Sequence, residues 1–175
     1  MRTFLEIGSC DFDTLNFLAD HNWQGAIVEP MSKYLDRLER KAGVQYLNYA
    51  IDEQNGFKTI YEYPETITSE DRDFTGMSSF YKRSNDMIEH NVPTITFSEL
   101  LKLCGFEQIE YLKIDTEGHD EISLEQVMAQ PLKPKQIKVE HKYCNRANMV
   151  ELLKSHGYSV NVLEQDLFAT LYKVV

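Results

Sequence analysis

Residues Tyr111–Asp120 read YLKIDTEGHD, a short apolar run that stops in a cluster of titratable side chains. Leu112 and Ile114 alternate with Tyr111, Lys113 and Asp115, which is the period of a strand. Thr116 and Gly118 break the run, and DEISLEQVMAQ reads as the helix behind it. Asp115, Glu117 and His119 therefore gather at a strand's carboxyl end, the edge where open α/β sheets bind ligands. Carboxylates and an imidazole there can hold a cation, accept hydrogen bonds or move a proton. The same residues also suit a helix start, with Asp115 or Thr116 as N-cap and Glu117 and Asp120 against the helix dipole. Other strand ends carry acids too. LEIGSCDFD sets Glu6 just before a turn opened by Gly8, and GAIVEP ends in Glu29, 21 positions after Gly8. A carboxylate at that second tip can accept both hydroxyls of a ribose.

The turn after Gly8 selects among cofactors by charge. A dinucleotide fingerprint would need glycines where Cys10, Asp11 and Phe12 stand, and Asp11 and Asp13 would repel a pyrophosphate. S-adenosylmethionine has no phosphate and carries an ammonium and a sulfonium, so the acids favour it over a nicotinamide cofactor. An ordinary strand–helix turn capped by Asp11 accounts for the same residues.

The elements that must position these groups alternate. Thr3–Ile7 is a first strand, followed by a helix with Leu15, Phe17 and Leu18 at helical spacing and Asp11 or Asp13 as its N-cap. Trp23 and Gly25 close a turn into the strand GAIVEP. Pro30 then opens a helix with Met31, Tyr34, Leu35 and Leu38 on one face and Gly43 as C-cap. VQYLNYAI is a third strand, and FKTIYEY an extra one after the turn DEQNG. Thr96–Glu99 is a capping box for a helix ending at Gly105. After YLKI and its helix come the strand QIKVEHKY, a helix capped by Asn145 and stopped at Gly157, and a closing hairpin of YSVNVLEQ and DLFATLYKVV. Such alternation implies parallel strands with right-handed crossovers. The least regular stretch, Pro64 to Asn91, has the length of a functional loop.

The composition narrows the partners. The chain has 175 residues, a net charge of −10 and a pI of about 4.9, which argues against nucleic acid and against anionic membrane surfaces. No stretch is long and apolar enough for a transmembrane helix. Cys10, Cys104 and Cys144 form no CxxC pair, so neither a zinc site nor a disulfide framework is expected. With no secretory pattern at the N-terminus, a reducing cytoplasm is the expected setting.

These motifs together resemble the FkbM-type methyltransferases, a family of S-adenosylmethionine-dependent O-methyltransferases. The resemblance runs through LEIGSCDFDT, GAIVEP, LNYAIDEQNG, MSSF, VPTITFSELL, IKVEHKY and LLKSHGYSVNVL, and is most specific at YLKIDTEGHD. It implies a Rossmann-like class I fold: a mostly parallel seven-stranded sheet with an antiparallel last strand and helices on both faces. That fold would form a single domain over residues 1–175, with a lid or insertion at 64–93. It further implies S-adenosylmethionine as cofactor. Glu6, Gly8, Ser9 and Cys10 would lie at its methionine part, Glu29 and Pro30 at the ribose, Ala50 and Ile51 at the adenine, and Asp115 at the ammonium. The implied reaction is methyl transfer to a hydroxyl of a sugar or small natural-product-like acceptor. His119 and His141 are the best bases by intrinsic pKa, and Glu117 would orient one of them or act as base itself. Tyr61, Tyr63, Phe80 and Tyr81 can wall the acceptor pocket. Asp115, Glu117, Glu140 and His141 include the hard donors that a divalent ion takes, but their spacing does not require one, and no metal ligand is assigned. Phe12 stands where such turns usually carry a second glycine. A non-catalytic binding or scaffold module that retains the fold is the alternative reading.

Overall fold

The computed structural model describes residues 1–12, 14–64 and 76–172, and the backbone of 68–69 and 72–73. In chain order it forms β1 (Arg2–Ile7), a 3₁₀ helix (Leu15–His21), β2 (Trp23–Val28), α1 (Ser32–Arg37), β3 (Val44–Leu47), β4 (Ala50–Ile51) and β5 (Gly56–Glu62). Then come β6 (Thr68–Ser69), β7 (Arg72–Asp73), β8 (Ile88–Ile95), α2 (Phe97–Cys104), β9 (Tyr111–Ile114) and α3 (Asp120–Met128). The chain closes with β10 (Gln136–Glu140), α4 (Arg146–Ser155), β11 (Tyr158–Val162) and β12 (Asp166–Leu171).

Seven strands form one sheet in the order β3-β2-β1-β9-β10-β12-β11. The pairs from β3 to β10 are parallel, and β12 runs antiparallel to both its neighbours. This is the mostly parallel sheet expected, with the terminal hairpin folded so that the last strand lies inside it. Parallel strands covered on both sides read as unbroken apolar runs. Accordingly Phe4, Leu5, Ile7, Ala26, Ile27 and Val28 are all buried. Leu5, Ile7, Leu112, Ile114, Ile137 and Val139 pack against residues of α2, α3 and α4. Phe4 and Ile27 pack on the opposite face with Leu15, Leu35 and Leu38.

Several local expectations change. The element after β1 is a 3₁₀ helix, and its N-cap is Thr14, whose hydroxyl accepts from Asn16 N, rather than Asp11; Asp13 lies outside the described residues. A three-residue period stacks Leu15 on Leu18 and turns Phe17 out, 55% exposed. Trp23 and Gly25 belong to β2 itself, and Gly25 is small because a Cβ there would meet the Phe4 ring at 2.3 Å. Met31, Tyr34, Leu35 and Leu38 are all buried but divide between two clusters, Met31 and Tyr34 with Ala50 and Ile60, Leu35 and Leu38 with Phe4 and Leu15; the helix starts at Ser32 and ends at Arg37, so Pro30 does not open it and Gly43 does not cap it. VQYLNYAI breaks after Leu47, where Asn48 Nδ2 donates to the Glu29 and Pro30 carbonyls at 2.9 and 2.8 Å. The chain then leaves the main sheet, and β4 joins a second sheet ordered β4-β8-β5. The strand β8 begins within the stretch expected as a lid, runs two residues past it, and pairs antiparallel with β5 from Gly56↔Thr94 to Glu62↔Ile88. Residues 65–67, 70–71 and 74–75 of that stretch lie outside the described residues. Tyr34 donates to Glu62 Oε1 at 2.5 Å, fastening the second sheet to α1. Thr96 caps α2 through Glu99 N, and Gly105 ends it in the left-handed conformation, but the Glu99 side chain bonds Lys102, so the box is half formed.

Candidate active site

The register of the sheet builds the site. Ile7 lies level with Val28 on one side and Ile114 on the other, and Ile114 with Val139. The next residue along each strand is therefore Gly8, Glu29, Asp115 or Glu140, a row across the carboxyl edge at the point where the crossovers change direction. Gly8 has φ +77°, and a Cβ on it would stand 1.8 Å from the Asp115 carbonyl oxygen. The close approach of β1 and β9, rather than a ligand alone, requires glycine there.

A cavity opens over this row. Gly8, Ser9, Cys10, Glu29 and Pro30 line it from the β1 and β2 ends, and Ala50 and Ile51 from β4. Asp115, Glu117 and His119 line it from the turn after β9. Glu6 and His141 do not reach it. Glu6 is fully buried beneath the turn, where it accepts from Thr14 Oγ1 at 2.5 Å and Leu15 N at 2.8 Å. Its other oxygen stands 3.1 Å from Lys113 Nζ, its cross-strand neighbour on β9. Burial raises the Glu6 pKa against the pull of Lys113. His141 is buried against the β11–β12 turn, with Nε2 at 3.2 Å from the Leu163 carbonyl.

Glu29 is buried and holds the loops on either side of it. One oxygen accepts from Cys10 N and the other from Met31 N, both at 2.9 Å. A carboxylate offers about four acceptor sites, so two backbone donors leave capacity facing the cavity. Burial pushes its pKa up to about 7 despite these bonds. Cys10 takes a positive φ of 48°, and burial raises its thiol pKa.

The turn after β9 is shaped by Asp120. Its two oxygens accept from Thr116 N and Gly118 N at 2.7 and 2.9 Å. Neither Asp115 nor Thr116 caps α3; the N-cap position is His119, whose side chain makes no capping bond. Burial raises Asp120 to about 6. Glu117 sits at φ +51° and is clipped from above: Arg83 donates to its Oε2 at 3.2 Å and its carbonyl at 2.5 Å, and Ser79 Oγ to the same carbonyl at 2.7 Å. Burial, then Asp115, raise its pKa against Lys142 and Arg83. Glu117 is thus tied to a guanidinium and to neither histidine. Glu140 is pushed up to about 8 by burial first, and then by Asp115, Glu117 and Asp120.

His119 is 3% exposed, and neither ring nitrogen has a hydrogen-bond partner among the described residues. Nε2 stands 3.3 Å from Asp52 Oδ1, a charge contact outside hydrogen-bond geometry. Asp52 also holds Lys58 at 2.9 Å, and Lys58 lies 4.2 Å from the centre of the Phe80 ring. Phe80 meets the imidazole edge-on, centroids 4.9 Å apart. Burial and Lys58 lower the His119 pKa against Asp52.

Phe80 is the one expected aromatic that lines the cavity; Tyr61 is engaged with Ser79 through the backbone, and Tyr81 is exposed. Tyr34, Tyr49, Ile60 and Ser78 also line it and were not assigned to the site by sequence. Phe12 lies at the rim, and a side chain on Gly76 would meet its ring at 2.9 Å. The residue that replaces a second glycine therefore packs against the segment covering the cavity.

Residues 6–167 match the methyltransferase FkbM domain. The chain belongs to the FkbM family of S-adenosylmethionine-dependent methyltransferases. No curated protein and no solved structure matches it. The donor set of this FkbM domain fits a cationic, phosphate-free cofactor. Glu29, Asp115 and Glu117 reach the cavity, and the lysine at its wall, Lys113, stands beside Glu6. Among the described residues no helix is long and apolar enough to cross a membrane.

Proposed function

We propose that this FkbM methyltransferase methylates a hydroxyl oxygen on a sugar or small natural-product-like acceptor, with His119 as general base. The observation that carries this reading is an imidazole buried in the cavity wall that makes no hydrogen bond among the described residues and has Asp52 Oδ1 3.3 Å from its Nε2. The Asp52 carboxylate favours the proton on Nε2 and leaves Nδ1 as the acceptor. Tyr34, Tyr49 and Phe80 add aromatic walls on which a sugar ring can stack. Glu29 with Pro30 would hold the cofactor's ribose, Ala50 and Ile51 its adenine, and Gly8, Ser9, Cys10 and Asp115 its methionine end. Glu6 supports this loop from beneath. When bound, S-adenosylmethionine supplies an electrophilic methyl group and takes the electron pair of the broken bond onto sulfur. The chain's part is to hold the acceptor oxygen in line, exclude water and receive the hydroxyl proton at His119. Orientation contributes about 7–11 kcal/mol in well-aligned cases. Incubation with cofactor carrying a ¹³C-methyl group and a panel of sugars tests the reading by NMR. A methyl signal on oxygen supports it, and one on nitrogen or carbon overturns it.

Glu29 provides a second check. An ionised carboxylate is the stronger acceptor for ribose hydroxyls. Its pKa of about 7 therefore makes S-adenosylhomocysteine affinity rise with pH through neutrality. The nearby titratable groups are Glu6, which Lys113 offsets, and the Cys10 thiol, which burial keeps protonated. Glu29→Gln is expected to lose about 10–100-fold in affinity, the worth of hydrogen bonds to a charged group. Calorimetry below and above neutral pH should show the pH dependence vanish in that variant.

A further inference from the structure

The carboxyl edge carries one acid that methyl transfer does not use. Glu140 ends β10, beyond Asp115 in the row. It is 7% exposed, and its Oε2 is buried with no hydrogen-bond partner among the described residues. One carboxylate oxygen from each of Asp115, Glu117 and Glu140 lies within 4.8 Å of the others. Oxygens on opposite sides of Mg²⁺ stand about 4 Å apart and those across Ca²⁺ about 5 Å, so a small inward turn of the side chains brings such a set onto one ion. The donors are all oxygen, which suits Mg²⁺ or Mn²⁺ rather than the softer metals. Two cations already stand at this corner. Arg83 bonds Glu117 Oε2 and leaves Oε1 available, and Lys142 acts on Glu117 and Glu140 through its charge. Neither donates a hydrogen bond to the orphaned Glu140 oxygen.

We propose that Asp115, Glu117 and Glu140 form a binding site for a hard divalent cation, Mg²⁺ or Mn²⁺, in the wall of the cavity. Asp115 and Glu117 line the cavity, so the ion's remaining positions open toward the acceptor side, beside His119. Three carboxylates carry enough negative charge to hold both a divalent ion and the cofactor's ammonium.

Binding of Mn²⁺ to the full chain, followed by calorimetry and by loss of the free-ion electron paramagnetic resonance signal, tests the site without reference to methyl transfer. A failure here is therefore distinct from a failure of the proposed reaction. One ion per chain is expected. Glu140→Gln should weaken binding by more than the roughly 10–100-fold that losing even an outer-shell partner costs. Glu117→Gln should weaken it as well, which guards against a folding defect in one variant, and Glu107→Gln on the exposed loop before β9 should not. Absence of binding at millimolar Mn²⁺, or affinity unchanged in both Glu140→Gln and Glu117→Gln, overturns the proposal.

Discussion

Replacing Lys113 with Met is expected to destabilise the protein by about 3–5 kcal/mol, the typical cost of removing one partner of a buried ion pair. Lys113 and Glu6 face each other on adjacent central strands, at 4% and 0% exposure. The variant leaves a buried carboxylate with only Thr14 and Leu15 as donors. With a slope of about 2 kcal/mol per molar, the urea midpoint falls by about 1.5–2.5 M. The deficit should shrink as pH falls. The folded-state pKa of Glu6 is raised by burial, so protonation favours the folded chain on passing below that pKa. A Glu6→Gln, Lys113→Met double variant removes both charges and is expected to recover most of the loss. If the single variant melts like wild type, the pair does not hold the turn in place.

His119→Ala is expected to lower kcat by about 10²–10⁴-fold, the usual contribution of a positioned base. Affinity for S-adenosylhomocysteine should stay close to wild type, because the proposed cofactor contacts lie on the turns after β1 and β2, on β4 and on Asp115. Asp52→Asn should reduce kcat less, since it acts through the imidazole's orientation. His141→Ala separates the two histidines. Its ring packs by the β11–β12 turn, so thermal stability should suffer more than turnover. A larger kcat loss in His141→Ala than in His119→Ala would transfer the role of base to His141.

The sheet was legible because β1 and β2 read as nearly unbroken apolar runs, β9 and β10 alternate, and each stops at a chemically distinct residue. TFLEI, GAIV, YLKI and QIKV need no partner to be read as buried strands, and parity places their final residues at one edge. Most of the cavity wall followed from those endings. What escaped depends on contacts between distant positions. Glu6 beside Gly8 has the look of a ligand contact, and only the adjacency of β1 and β9 reveals Lys113 as its partner. Asp52 gains its meaning from His119, which the fold brings within 3.3 Å of it from the turn after β9. The strand β8 carries Pro93, which lacks a backbone donor and argues against a strand when read locally. The 3₁₀ geometry after β1 is likewise invisible to a search for a period of 3.6, since Leu15 and Leu18 satisfy both repeats.

The position of β1 between β2 and β9 also governs how the molecule comes to be made. Thr3 Oγ1 donates to the carbonyl of Gln108, a residue 105 positions further along the chain. β1 thus gains one flank early, from β2, and waits for the other until β9, about a hundred residues later in the chain, has emerged. Until then Phe4, Leu5 and Ile7 have an open strand edge beside them, the kind of surface that recruits other chains. Long-range pairing of this sort slows folding through the entropy of closing the intervening loop. Refolding yield should accordingly fall with protein concentration, and the competing association should begin at β1.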